Sequence, residues 1–294
     1  MFEVRAPEIK GIKTWLNSKA LRISDLKGKV VLVDFWTYTC INCLRTLPYL
    51  KEWHKKYSKK GLEIIGVHTP EFDFEKEVKN VQAQVDALKI KYPIALDNDR
   101  ETWNSFDNHY WPAKFLITKE GYVDYVHFGE GDYEKIEQRI QEALGIKTKI
   151  KKEKYAGYMF DQTPETYVGY ERNTGLGSGL VCGEDGCNIY IEPSEKEPGV
   201  IYPHGQWIQE KDYLELEKTP GKISYVFNAR EVNIVVVPLE KKATLDIFVN
   251  KKRIKKIKND TANMYNIFKN KKYAERELEL IFNKKVRVYA FTFG

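Results

Sequence analysis

The feature that most constrains the fold is a nearly continuous apolar run, KVVLVDFW, at residues 29–36. β-Branched and aromatic residues follow one another here almost without polar alternation, which is typical of a central strand buried on both faces of a sheet. A helix with apolar side chains at helical spacing is predicted next, from about Ile41 to Lys60, and Gly61 ends it. The pattern therefore predicts a buried strand that passes directly into a helix.

The rest of the first half continues the alternation of strand and helix patterns. The predicted strands are residues 62–68, 92–97, 113–118 and 122–128, and the predicted helices are residues 74–89 and 133–144. This order predicts an α/β domain, in which a mixed central sheet carries helices on both faces.

The second half of the chain has a different character. Short alternating runs separated by turns, such as ISYVFNA and VRVYAFTF, replace the helical patterns, which predicts an all-β sandwich or jelly roll. A charged segment with few apolar residues lies between the two halves. We therefore expect a first domain at residues 1–148, a linker at 149–156 and a second domain at 157–294.

Charge and hydropathy exclude some classes of protein. The net charge is only +6 over 294 residues, without the one-sided basic surface that nucleic-acid binding requires. No apolar run reaches the length of a transmembrane helix, and the first residues lack the basic head and apolar stretch of a signal peptide. We expect a soluble cytoplasmic protein, or alternatively the extracytoplasmic soluble part of a larger protein.

Two cysteines, Cys40 and Cys43, lie where the buried strand meets the helix. A thiolate at the first turn of a helix is stabilised by free backbone N–H groups and by the positive end of the helix dipole. Cys43 lies one turn further along, where its thiol can attack a mixed disulfide formed at Cys40. The spacing therefore predicts thiol–disulfide exchange, with Cys40 as nucleophile and Cys43 as resolving thiol.

Other residues fit the same chemistry. Asp34 is a carboxylate in a strand that should be buried, so we expect it to take the proton from Cys43. Pro112 precedes a strand, and a cis peptide bond there would expose backbone groups to which an extended substrate can pair. Trp111 and Tyr38, at loop positions, are the candidates for a partner-binding rim.

The motifs VVLVDFW, C-x-x-C and a late WP before a strand resemble the thioredoxin pattern, in its TlpA/ResA branch. FWTYTCINCLRTLPYL, GVHTPEFDFEK and YWPAKFLI resemble more specifically the soluble C-terminal part of DipZ-type proteins. The resemblance implies a thioredoxin-like domain followed by a carbohydrate-binding-module-like β-sandwich. It implies activity on protein dithiols and disulfides, reduction more than oxidation, and no metal or organic cofactor. A CcdA-like membrane protein or a thioredoxin reductase would donate electrons, and the sandwich would bind a glycan or a protein partner.

Two alternatives for Cys40 and Cys43 remain open. A metal site would need two further ligands, and the chain has no second C-x-x-C. A thiol peroxidase is the second alternative, because Thr37 lies three residues before Cys40, where peroxiredoxins have a threonine. The proline that peroxiredoxins carry four residues before that threonine is replaced by Val33.

The second domain adds one more cysteine pair, Cys182 and Cys187, in GLVCGEDGCNIY. The central GEDG predicts a turn between two strands, so the cysteines should face each other. A structural disulfide, two free thiols and a relay that passes electrons to Cys40 and Cys43 all remain open. Six aromatic residues are candidates for a sugar-binding face, although most should pack in the core: Tyr167, Tyr170, Tyr190, Tyr202, Trp207 and Tyr213.

Overall fold

The computed structural model describes residues 4–150, 152, 162–173, 175–183 and 186–294, and for residues 183–187 no side chain is described. The chain divides into two compact units, residues 1–157 and 158–294. Most of the linker that we expected at 149–156 lies outside the described residues.

The first unit alternates strands and helices. Its elements are β1 (Trp15–Leu16), β2 (Val30–Trp36), α1 (Ile41–Tyr57), β3 (Leu62–His68), α2 (Val78–Ala87), β4 (Ile94–Leu96), α3 (Glu101–Ser105), β5 (Ala113–Ile117), β6 (Val123–Phe128) and α4 (Tyr133–Leu144). The strands form one mixed sheet in the order β1-β4-β3-β2-β5-β6. In it β2 runs parallel to β3 and antiparallel to β5.

Both faces of this sheet are covered. Helices α1, α2 and α4 pack on one face, and α3 with the N-terminal segment packs on the other. Every residue of β2 is buried, as its unbroken apolar pattern requires. The structure thus confirms the expected α/β sheet with layers on both faces.

Three details differ from the expected elements. The pattern did not predict β1 or α3, because two and five residues are too short to show a period. Helix α2 begins at Val78, not at residue 74, because a 3-10 turn at Asp73–Lys76 precedes it. That turn carries a buried Glu75.

The second unit is all-β in the residues described, which confirms the expected class. Its strands are β7 (Thr166–Tyr167), β8 (Gly179–Gly183), β9 (Gly186–Ile191), β10 (Ile201–Gln209), β11 (Leu214–Leu216), β12 (Gly221–Asn228), β13 (Glu231–Pro238), β14 (Thr244–Val249), β15 (Lys252–Lys258), β16 (Asn263–Lys269), β17 (Glu275–Phe282) and β18 (Val286–Phe293). Strand β10 pairs with β12 through its first half and with β11 through its second half, so it joins the two layers of the sandwich.

An apolar core fills the space between these layers, and Trp207, Phe227 and Phe291 lie in it fully buried. Strand β15 did not stand out in the sequence because its residues, KRIKKIK, are nearly all charged and exposed. It is an edge strand, where charged side chains are favoured. Within the ranges described for both units, no helix combines the length and apolarity that crossing a membrane requires.

Candidate redox site

The two cysteines of the first unit lie at the N-terminus of α1. Cys40 is the N-cap residue, in extended backbone conformation, and its Sγ accepts a hydrogen bond from the backbone N–H of Cys43 at 3.2 Å. Both cysteines are free thiols, but Cys40 is partly exposed whereas Cys43 is buried. Only Cys40 is therefore accessible to the sulfur of a partner.

The environment of Cys43 makes the two thiols unequal. Burial raises the pKa of the Cys43 thiol well above its ordinary value, and the hydrogen bond to the side chain of Cys40 raises it further. The raised pKa keeps the Cys43 thiol protonated, while Sγ of Cys40 accepts the hydrogen bond from the backbone N–H of Cys43.

A buried ion pair joins the two strands next to the site. Asp34 on β2 and Lys114 on β5 are register partners, with Oδ1 and Nζ 3.4 Å apart. Burial raises the pKa of Asp34 to about 6, although the positive charge of Lys114 opposes this shift. The negative charge of Asp34 in turn contributes to the raised pKa of Cys43. Asp34 is therefore electrostatically coupled to the Cys43 thiol.

Sequence reasoning missed Lys114, although a lysine inside the apolar strand AKFLI was a usable signal. Its side chain is 1% exposed. The sequence analysis also missed Tyr92, whose buried hydroxyl has no hydrogen-bond partner among the described residues. Burial raises the pKa of Tyr92, and the charges of Asp34 and Cys43 raise it further. Asp34 thus interacts electrostatically with Lys114, Cys43 and Tyr92.

A second buried carboxylate, Glu75, lies against the loop that precedes Cys40. Its Oε1 accepts hydrogen bonds from the hydroxyls of Thr37 and Thr39, at 2.5 and 2.7 Å. Nε2 of His68 lies 3.3 Å from the same Thr37 hydroxyl. Burial lowers the pKa of His68 to about 3, so the ring is neutral. The Thr37 hydroxyl donates its one proton to Glu75, so towards His68 it can act only as an acceptor for Nε2–H.

The loop before β5 contains Trp111 and Pro112. The Trp111–Pro112 peptide bond is cis, as expected from the sequence. The Trp111 indole N–H donates to the carbonyl of Thr69 at 3.1 Å, and the Arg100 guanidinium lies over the indole ring at 5.1 Å. Trp111 remains partly exposed, and its contact with a partner stays a prediction.

Tyr38 requires a correction. We expected it on a partner-binding rim, but its side chain is 1% exposed and stacks on the ring of His68. The segment after β3 covers it, since Phe74 lies 6.3 Å from its ring. The prediction that Tyr38 contacts a partner is therefore wrong.

One more ion pair borders the cysteines. Nη1 of Arg45, on α1, lies 3.2 Å from Oε1 of Glu130 in the loop after β6. The Glu130 side chain is only 2% exposed. This pair ties the first turns of α1 to that loop. In the described ranges no group of three or more histidine, cysteine or acidic residues is placed to hold a metal ion.

In the second unit, Cys182 and Cys187 are register partners across the β8–β9 hairpin, where the sequence placed them. Cys182 is disulfide-bonded. The Cys187 side chain lies outside the description, so the pairing of these two sulfurs stays a prediction. Of the six candidate sugar-binding aromatics, Tyr190, Tyr202 and Trp207 are buried and Tyr170 is 59% exposed.

Comparisons with known proteins identify the family to which the chain belongs. A model of the AhpC/TSA family matches residues 3–126, and a model described as thioredoxin like C-terminal domain matches residues 163–294. The thiol-disulfide oxidoreductase ResA of Bacillus cereus is 35% identical over 130 residues, which cover 44% of this chain and 72% of ResA. The chain belongs to the thioredoxin-like proteins of the DipZ and ResA type.

The DipZ protein of Mycobacterium tuberculosis is 34% identical over 300 residues. That alignment covers 98% of this chain but 43% of DipZ, so the chain spans less than half of that relative. A solved thioredoxin domain of a thiol-disulfide oxidoreductase from Bacteroides vulgatus is 27% identical, with a TM-score of 0.40. It covers 47% of this chain, and 96% of the solved chain is matched.

Proposed function

We propose that this protein is a thiol–disulfide oxidoreductase that reduces disulfides of other proteins through Cys40 and Cys43. The observation that carries the proposal is the asymmetry of the two thiols. Cys40 is partly exposed at a helix N-terminus and its Sγ accepts a backbone hydrogen bond, whereas Cys43 is buried with a raised pKa. Thiol–disulfide exchange needs this division between an attacking and a resolving sulfur.

The reaction proceeds in two exchanges. The Cys40 thiolate attacks one sulfur of the substrate disulfide, so that a Cys40–substrate bond forms while the substrate S–S bond breaks and its other sulfur leaves as a thiolate that takes a proton. Cys43 then loses its proton and attacks Cys40, which forms the Cys40–Cys43 disulfide and releases the second substrate thiol. Two electrons pass from the protein to the substrate.

Asp34 serves as the proton acceptor in the second exchange. Its pKa of about 6 leaves it mostly ionised near neutral pH, and its charge acts on Cys43. Because both groups are buried, a small rearrangement or a bridging water transfers the proton. The cis Trp111–Pro112 segment provides the surface along which the substrate chain extends.

The oxidised protein must be reduced again by a dithiol donor. We assign that role to a membrane protein resembling CcdA or to a thioredoxin reductase, and the reaction itself requires no metal or organic cofactor. Peroxide reduction is the weaker alternative, since the Thr37 hydroxyl that would meet a peroxide already donates to Glu75.

The test is reduction of insulin disulfides with dithiothreitol as electron donor. The native protein should accelerate the reaction and Cys40→Ser should abolish the acceleration. The double variant Cys182→Ser/Cys187→Ser is the matched control and should keep the native rate. A native protein that leaves insulin unreduced but consumes hydrogen peroxide would refute the proposal in favour of a peroxidase. A slowed double variant would instead indicate that the second cysteine pair relays electrons.

A further inference from the structure

Glu75 has more hydrogen-bond donors than an ordinary structural carboxylate. Its side chain is fully buried, and Oε1 accepts from the Thr37 hydroxyl, the Thr39 hydroxyl and the Thr39 N–H at 2.5, 2.7 and 3.3 Å. Oε2 accepts from the N–H groups of Glu71 and Phe72 at 2.7 and 3.0 Å. All five partners donate, so the site suits an acceptor-only carboxylate and suits an amide poorly.

The two oxygens bind different parts of the chain. Oε1 holds residues 37–39, the loop that runs from β2 to the N-cap Cys40, while Oε2 holds the segment that follows β3. Burial raises the pKa of Glu75, and the hydrogen bonds from the Thr37 and Thr39 hydroxyls oppose this shift because they favour the ionised form. Such charge-assisted hydrogen bonds are strong where water is excluded, as it is here. The carboxylate therefore fixes the Cys40 loop against residues 69–76.

Residues 69–76 also touch the opposite side of the site. The carbonyl of Thr69 accepts from the indole N–H of Trp111, and the carbonyl of Pro70 accepts from Arg100 at 3.0 Å. Trp111 immediately precedes Pro112. One short segment thus contacts both the loop that presents the nucleophile and the loop that presents the cis-proline.

We propose that Glu75 is a positioning residue that sets the place of Cys40 relative to the Trp111–Pro112 surface. The inference rests on the proposed function, because it concerns a substrate chain that must lie on that surface while its disulfide meets Cys40. Misplacement of reacting atoms by about 1 Å costs up to about 100-fold in rate. A small disulfide that reaches Cys40 without lying on the surface does not depend on this alignment.

The test compares two substrates, insulin and the small aromatic disulfide DTNB, in Glu75→Gln and in Glu77→Gln. Glu77 is an exposed acid two residues away, so its variant removes the same charge without touching the network. With protein reduced beforehand and freed of dithiothreitol, we expect the second-order rate constant for its oxidation by insulin to fall by about 10-fold or more in Glu75→Gln, and that for its oxidation by DTNB by less than about 3-fold. Glu77→Gln should leave both unchanged. A loss of folded protein lowers both rates equally and leaves their ratio unchanged.

A second pair of variants keeps the test decisive if Glu75→Gln folds poorly. Thr39→Val removes one hydroxyl donor to Glu75, and Thr39→Ser keeps it. We expect the insulin-to-DTNB ratio to fall in Thr39→Val and to return in Thr39→Ser. An unchanged ratio in both Glu75→Gln and Thr39→Val, with native protein that still reduces insulin, would overturn the positioning role and leave the proposed function standing. Native protein inactive on insulin would overturn both.

Discussion

Asp34 and Lys114 face each other across β2 and β5, with Oδ1 3.4 Å from Nζ and both side chains buried. The separation is that of an ion pair, and burial still dominates, because the pKa of Asp34 is raised to about 6 in spite of the lysine. The buried Asp34 therefore lowers the free energy of unfolding at neutral pH, where it is ionised beside the Cys43 thiol.

The first prediction concerns stability against pH. A raised native pKa means that the folded state binds the proton more tightly than the unfolded state, so stability falls as the pH rises from about 4 to above 6. The shift from 3.8 to about 6 corresponds to about 3 kcal/mol. Urea unfolding should show that the native protein loses about 3 kcal/mol more over this interval than Asp34→Asn does. If the free energy of unfolding changes with pH by the same amount in both proteins, the raised pKa of Asp34 is contradicted.

The second prediction concerns the resolving step, measured in single-turnover reaction with DTNB. The first released aromatic thiol reports attack by Cys40, and the second reports attack by Cys43. In the native protein the second phase should accelerate as the pH rises through about 6, since ionised Asp34 accepts the proton. In Asp34→Asn it should slow by about 100-fold and lose that pH dependence. Asp99→Asn, an exposed acid, serves as the control; equal slowing in both variants would argue against a specific role for Asp34.

The third prediction tests the partner of Asp34. Lys114→Met removes the nearby positive charge that lowers the pKa of Asp34. The midpoint of the second DTNB phase should therefore move up by about 1–3 pH units. Lys79→Met changes an exposed lysine and should leave the midpoint in place. A midpoint that stays near 6 in Lys114→Met would show that the two groups are not coupled in solution.

The fourth prediction concerns Arg45 and Glu130. Arg45→Met leaves a nearly buried carboxylate without its cation and should lower the free energy of unfolding by about 2 kcal/mol. The double variant Arg45→Met/Glu130→Gln should recover part of that loss, because the uncompensated charge is gone. If the double variant is less stable than Arg45→Met, the pair does not act as a charge pair.

The parts of the site that are local in the chain were predictable from the sequence. The apolar run of β2 and the C-x-x-C spacing place Cys40 at a helix start and Asp34 in a buried strand, because each depends on neighbouring residues only. Lys114 and Glu75 were not predicted. Lys114 meets Asp34 through the register between two strands, and Glu75 lies in a short turn, and local periodicity encodes neither. Tyr38 was misplaced for the same reason, as a loop position says nothing about the segment that covers it.

The fifth prediction is the reduction potential of the Cys40–Cys43 couple, measured by equilibration with thiol buffers of known potential. A protein that reduces the disulfides of its substrates needs a couple more reducing than theirs, and this is the direction that we propose for Cys40 and Cys43. We expect a value near about −270 mV, typical of thioredoxin. A value near about −120 mV, typical of DsbA, would reverse the proposed direction of electron flow.

The central claim, that Cys40 attacks and Cys43 resolves, is tested most directly by trapping the mixed disulfide. Cys43→Ser is incubated with a disulfide-containing protein, and the adduct is located by mass spectrometry, with Cys40→Ser treated in parallel. The account predicts a stable adduct at Cys40 in Cys43→Ser and none in Cys40→Ser. An adduct at Cys43 in Cys40→Ser, with none in Cys43→Ser, would contradict it.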